Sequence, residues 1–209
     1  MGSRTLEKTW PCAGWRFSLF RPADRRKEDA RDYADAPDEA LAAWSGDGDR
    51  RAFDALVVRH GAFALRVATR LLQDAAAAED VVQEAMVRAW GQAGKYDPRR
   101  GRFTTWLYRI VVNLCIDQRR RGRTEPLPED FDPADPAAGV QENLEADEGR
   151  LALAQALAAL PVRQRAAMTL VYDEGLSGAE AAQALGVSAK AVERLLARGR
   201  AFLRERLRP

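Results

Sequence analysis

The chain has 209 residues, 46% hydrophobic and 31% charged, with a formal net charge of +2 at pH 7. That length and apolar content allow one packed domain or two small ones. Two distant cysteines, Cys12 and Cys115, and one histidine, His60, argue against a zinc or redox motif, and no apolar run is long enough to cross a bilayer, so a cytoplasmic chain without membrane insertion is expected.

In chain order, residues 1–36 carry many charges without a clean period and are expected to be a poorly ordered N-terminal extension. Pro11, Gly14 and Arg16 interrupt its aromatic stretch, which therefore lacks the apolar core of a signal peptide. From Asp38 the pattern turns helical. Asp38–Trp44 is a short amphipathic segment ended by Ser45 and Gly46, and 50–73 follows with Phe53, Leu56, Val57, Phe63, Leu65, Val67 and Leu71 as apolar positions. Asp74 suits the N-cap of a helix over 76–92. There Val82, Met86 and Trp90 make an apolar stripe, while Asp80, Gln83, Glu84 and Val87 lie on the other side. A polar outer face is usually the solvated one; it can also dock a basic partner. A loop, 94–102, then sets Tyr96 among Lys95, Arg99, Arg100 and Arg102.

The stretch from Phe103 to Arg121 organises the rest. Phe103, Leu107, Ile110 and Leu114 share one helical face; Trp106, Arg109, Asn113, Asp117 and Arg120 share a second. An aromatic, an amide and cations in one strip can stack on an unpaired base, bond its edge and hold phosphates. After Arg123 the composition changes. From Thr124 to Gly149 acids accumulate with no lysine or arginine, and Pro126, Pro128, Pro133 and Pro136 oppose regular structure. Residues 124–148 read as an extended acidic linker between two units.

The second unit, 149–209, begins with a helix marked by Leu153, Leu157 and Leu160, then Pro161 and a second helix to about Asp173. Ser177 with Glu180 is a capping box, Gly186 suits a left-handed turn, and Ser188 can cap a last helix reaching about Leu207. A short helix, a glycine-containing turn and a second helix make a helix-turn-helix. Val192, Leu195, Leu196 and Leu203 supply its buried stripe. Lys190, Arg194 and Arg198 repeat every four residues on the opposite face, with Arg200 beyond. The early part of such a helix enters the major groove, where arginine can donate two hydrogen bonds to guanine.

At this point the chain resembles the extracytoplasmic-function group of bacterial sigma factors. The resemblance rests on Ala78-Glu79-Asp80-Val81-Val82-Gln83-Glu84-Ala85, on Phe103-Thr104-Thr105-Trp106-Leu107-Tyr108-Arg109-Ile110 with Asn113 and Asp117, and on Leu176-Ser177-Gly178-Ala179-Glu180-Ala181-Ala182 with the last helix. It implies an all-α fold of two small helical domains, a region 2 bundle (37–123) and a region 4 helix-turn-helix four-helix domain (149–209), joined by the acidic flexible linker. It implies that Asp80, Gln83, Glu84 and Val87 meet core RNA polymerase, which contributes its β and β′ subunits, with the first three on the β′ clamp helices. It implies that Tyr96, Arg102, Trp106, Arg109, Asn113 and Arg120 serve the −10 element, with Asn113 on a flipped base, and that Ser188, Lys190, Arg194, Arg198 and Arg200 serve the −35 element. Promoter DNA and an anti-sigma factor are the further partners it implies; no cofactor, metal or small-molecule substrate is expected. Glu193 stands where many members place a base-contacting side chain, which leaves the −35 preference open.

Two other classes compete. A conventional helix-turn-helix regulator, of the response-regulator kind, needs an α/β receiver or ligand pocket in its first half, and nothing before residue 124 alternates with period two. An enzyme needs a nucleophile motif beside His60, and none is present.

Overall fold

The computed structural model describes residues 31–121 and 144–208, and every regular element among them is helical. The first unit comprises α1 (Asp38–Gly46), α2 (Arg50–Leu72), α3 (Ala75–Gln92) and α4 (Phe103–Arg121), with short 3₁₀ turns at Ala93–Lys95 and Pro98–Arg100 in the connection to α4. The second comprises α5 (Leu144–Ala159), α6 (Val162–Met168), a wide turn at Thr169–Asp173, α7 (Gly178–Leu185) and α8 (Ala189–Arg206). No strand occurs among the described residues, so the α/β receiver that a conventional regulator would need has no counterpart in 31–121.

The long helix α2 is the spine of the first unit, packing against α1, α3 and α4. Its start is fixed by Asp49, whose carboxylate accepts the Ala52 N–H. Its end is fixed by Gln73, which adopts the left-handed conformation (φ 58°) and turns the chain into α3. Asp74 then caps α3 by accepting from Ala77 N–H, as the sequence predicts. Leu56, Val67 and Leu71 of α2 meet Val82 and Met86 of α3 and Phe103, Leu107, Val111 and Leu114 of α4 in one apolar core. Each such leucine, fully withdrawn from water, contributes about 1.5–3 kcal/mol before entropy is counted.

Residues 31–36, expected to lack order, are instead fastened to this bundle. Arg59 of α2 donates to the carbonyls of Tyr33, Ala34 and Ala36 and to the Asp38 carboxylate. Arg31 and the Tyr33 hydroxyl both donate to Asp49. The cause is long-range: one arginine on α2 satisfies carbonyls more than twenty residues earlier, which no local period reveals.

In the second unit the helix-turn-helix forms as the local signals require. The Ser177 hydroxyl accepts from Glu180 N–H while the Glu180 carboxylate accepts from Ser177 N–H. Gly186 takes φ 65°, and Ser188 caps α8 by accepting from Ala191 N–H. Two boundaries differ from the sequence reading. Helix α5 begins at Leu144, so residues 144–148 are helical rather than linker; the rest of the linker lies outside the described residues. Leu153, expected to face the core, is 42% exposed, and Ala156 and Leu160 are buried instead.

The two units pack on each other. Helix α7 lies along α4, and α6 and the following turn reach α2. Helix α4 is therefore covered twice. Its Phe103–Leu107–Leu114 face meets α2 and α3. A face carrying Thr105, Tyr108, Val112 and Cys115 is buried as well, and the Tyr108 hydroxyl donates to Glu174.

Candidate nucleic-acid interface

The strip left open on α4 is narrow. Arg109, Asn113, Asp117 and Arg120 are exposed, Trp106 is half-buried, and Ile110 and Ile116 are its partly buried neighbours. Trp106 belongs to an aromatic cluster: its ring centroid lies 5.6 Å from Tyr96 and 5.5 Å from Phe103, and Tyr96 meets Phe103 edge-on at 5.7 Å. His60 stacks 5.5 Å from Phe103, and its Nε2 lies 2.7 Å from the Asp38 carboxylate. The histidine is thus tied to a helix start and has no nucleophile beside it.

The loop before α4 is pinned rather than loose. The Tyr96 hydroxyl donates to the Gly101 carbonyl at 3.0 Å, and Asp97 accepts from Arg99 through both backbone and side chain. Burial, with help from Glu39, Asp38 and Asp97, pushes the Tyr96 phenol up to about 12, so it stays a neutral donor. Gly101 sits at φ +147°, a conformation glycine tolerates and side chains resist. At the other end of the loop, a Cβ on Gly46 would lie 2.8 Å from the Gly94 Cα, so the end of α1 and the loop touch backbone to backbone. Arg102 is exposed, with its guanidinium 3.7 Å from Glu180 of the other unit. Thus Tyr96, Arg102, Trp106, Arg109 and Asn113 fall around one end and one side of α4, with Arg120 further along the same strip.

A second surface lies on α3. Asp80, Gln83, Glu84 and Val87 are all exposed at i, i+3, i+4, i+7 spacing, and Val87 is 44% exposed. Glu84 is held by Arg88 at 2.7 Å. An exposed valine between carboxylates and an amide gives this stripe an apolar centre with a polar border, the composition of a docking patch.

The third surface is α8. Val192 and Leu196 are buried and Leu195 and Leu203 partly so, which turns Lys190, Arg194 and Arg198 outward. The Ser188 hydroxyl is engaged as the helix cap. Arg200 donates to the Tyr172 hydroxyl at 2.7 Å, which holds it beside the wide turn rather than at the start of α8. Arg165, which the sequence reading passed over, is buried in the boundary between the units. Its guanidinium donates to the carbonyls of Leu71 in α2 and of Ala158 and Leu160 in the second unit.

Comparison with known proteins covers both units. Residues 56–125 match the model of Sigma-70 region 2, and residues 150–203 match that of Sigma-70, region 4. The chain is 40% identical over 170 residues to the ECF RNA polymerase sigma factor SigM of Mycobacterium tuberculosis, covering 79% of this chain and 81% of that protein. Among solved structures, it is similar to CnrH in complex with the cytosolic domain of CnrY, with a TM-score of 0.60, 33% identity and coverage of 80% of this chain and 95% of that one. It is also similar to the sigma factor RpoE of Bartonella quintana, in complex with the anti-sigma factor NepR, with a TM-score of 0.58, 25% identity and coverage of 74% and 96%.

Proposed function

Because the chain belongs to the extracytoplasmic-function (ECF) RNA polymerase sigma factors, we propose a division of labour in which its three exposed surfaces serve three steps of initiation. Sigma factors bind core polymerase and direct it to promoters. Asp80, Gln83, Glu84 and Val87 on α3 dock on the β′ clamp helices. Asn113 hydrogen-bonds a base of the −10 element that has left the stack, with Trp106 beside it, Tyr96 shaping the loop, and Arg102, Arg109 and Arg120 on phosphates. Lys190, Arg194 and Arg198 enter the major groove at the −35 element, while Ser188 caps α8 next to the backbone and Arg200 reaches phosphate.

One observation carries this reading: a capped helix-turn-helix with an outward cationic strip shares the chain with a bundle whose α4 exposes an aromatic–amide–cation strip. One reads duplex, the other suits unpaired bases. Extruding a base from the stack takes a few kcal/mol, and a loop already fixed by Tyr96 and Gly101 loses little further freedom on binding. The protein works in the cytoplasm, as a transcription factor and not as an enzyme. CnrH and RpoE are each seen with a partner named in their structures, and RpoE's is an anti-sigma factor; we extend control by an anti-sigma factor to this chain on that basis.

Run-off transcription with core polymerase and the chain tests the proposal. Promoter-specific transcripts that appear only when the chain is added support it. Absence of stable association with core polymerase at low salt refutes it.

A further inference from the structure

The boundary between the two units has a composition of its own. Its centre is apolar and built from small side chains, with Ala181, Ala182, Ala184 and Leu185 of α7 buried and Thr105, Tyr108, Val112 and Cys115 of α4 buried. Its border is ionic. Arg70 pairs with Asp173, Arg66 lies 3.6 Å from Glu174, Tyr108 donates to Glu174, and Arg102 lies 3.7 Å from Glu180. The arginines are about half exposed, so each pair is weak alone and salt-sensitive. Arg165 is the one buried cation. It is 2% exposed, and burial, with Arg119 nearby, pushes its guanidinium down to about 10. No carboxylate is bonded to it. The Leu71 carbonyl that it reaches is at the C-terminal end of α2, where the helix dipole favours a cation.

We propose that this boundary is an intramolecular latch: the free chain rests closed, with α7 docked on α4, and must open before one molecule can hold both promoter elements. The inference rests on the two-site reading of function. The −10 and −35 elements are about 25 base pairs apart, about 85 Å along a duplex that rises about 3.4 Å per base pair. Two units in side-chain contact through α4 and α7 cannot occupy both. Residues 122–143 connect Arg121 to Leu144, and a chain of that length reaches at most about 75 Å, to which the helices themselves add. Separation is therefore covalently permitted. It is also energetically reversible. Arg165 and the Leu71 carbonyl both regain water on opening, and the half-exposed ion pairs trade partners for solvent with little net change. An interface of small apolar residues with a charged border resembles transient contacts between domains rather than a permanent core.

The test uses the full chain with Cys12→Ser, Glu79→Cys and Glu205→Cys for a donor–acceptor dye pair. Cys115 stays silent because burial pushes its thiol up to about 12. The free chain should give one short distance. Arg70→Glu, which places a carboxylate against Asp173 and Glu174, should lengthen it and shift the closed-to-open ratio by roughly fivefold. Adding Asp173→Arg to that variant should restore the short distance. Binding to core polymerase should lengthen the distance in the unaltered latch. A free chain already extended, or one insensitive to both charge changes, overturns the latch, as does a polymerase complex that keeps the short distance. If the free-chain results hold but no polymerase complex forms, it is the sigma-factor reading that fails.

Discussion

A single methyl group at position 46 should separate the role of the pinned loop from that of the core. In Gly46→Ala the new Cβ would stand 2.8 Å from the Gly94 Cα, 3.0 Å from its nitrogen and 3.3 Å from the Ala93 carbonyl carbon. All three are backbone atoms, so no side chain can rotate away, and ordinary carbon–carbon contact needs about 3.5–4.0 Å. The loop must retreat by roughly 0.7 Å or more, and overpacking of this kind destabilises by about 1–3 kcal/mol. Alanine recovers up to about 1 kcal/mol of helix propensity at the end of α1, leaving a net loss of about 1–2 kcal/mol. For a bundle of this size each kcal/mol lowers the melting temperature by about 4–8 °C. Gly91→Ala is the control: nothing lies within 4 Å of its Cβ, so it should stabilise α3 by about 0.5–1 kcal/mol. Urea midpoints of the two variants measure both effects. Because the displaced loop carries Tyr96, −10-dependent opening by Gly46→Ala should fall even at temperatures where the protein is fully folded. A Gly46→Ala protein as stable as Gly91→Ala would refute the claim of backbone contact between α1 and the loop.

Asn113→Ala should leave the urea midpoint within about 0.5 kcal/mol of wild type, since the side chain is exposed, while lowering open-complex yield at −10-dependent promoters about tenfold, the size of one lost base contact; permanganate footprinting with equal reactivity would count against it. Arg198→Ala should weaken protection of the −35 element and leave core binding intact, as footprinting and polymerase pull-down would show. Asp49 gives a pH prediction. Burial alone would raise its carboxyl, but the hydrogen bonds from Arg31, Ala52 N–H and Tyr33 win and hold it below the ordinary value of 3.8. A carboxyl depressed in the folded state contributes stability above its unfolded value and loses it as pH falls through the folded one. Wild type should therefore lose stability as pH drops below about 4, and Asp49→Asn should be less stable at pH 7 but flatter across that acid window, as denaturant titrations at several pH values would reveal.

The parts of this fold written in local code could be read from the chain. Asp74, Ser177 with Glu180, Gly186 and Ser188 act within a few residues of themselves, and each does what its position predicts. The outward strips on α3, α4 and α8 followed from helical period alone. What escaped notice depends on distant partners. Tyr108 and Thr105 look like surface positions until α7 arrives from some seventy residues away. Arg165 reads as solvated because charge normally is, yet three carbonyls from two units enclose it. Leu153 was taken for core because a leucine in a helical repeat usually is, whereas α5 buries its small Ala156 instead. Asp49 carried a legible signal, an acid just before a helix, and only its second task of receiving Arg31 and Tyr33 was hidden.

The wide turn at Thr169–Asp173 has a bearing on how this protein tolerates insertion and deletion. There the Glu174 N–H reaches back five residues to the Thr169 carbonyl instead of four, the mark of one surplus residue absorbed in a helix. Excising a residue would restore the ordinary repeat and rotate whatever follows by roughly one hundred degrees about the axis. Asp173 and Glu174 would then swing away from Arg70 and Arg66, although every residue of the helix-turn-helix remained intact. Length variation at this spot would act as a tuning peg, altering the grip between the halves without touching either reading head.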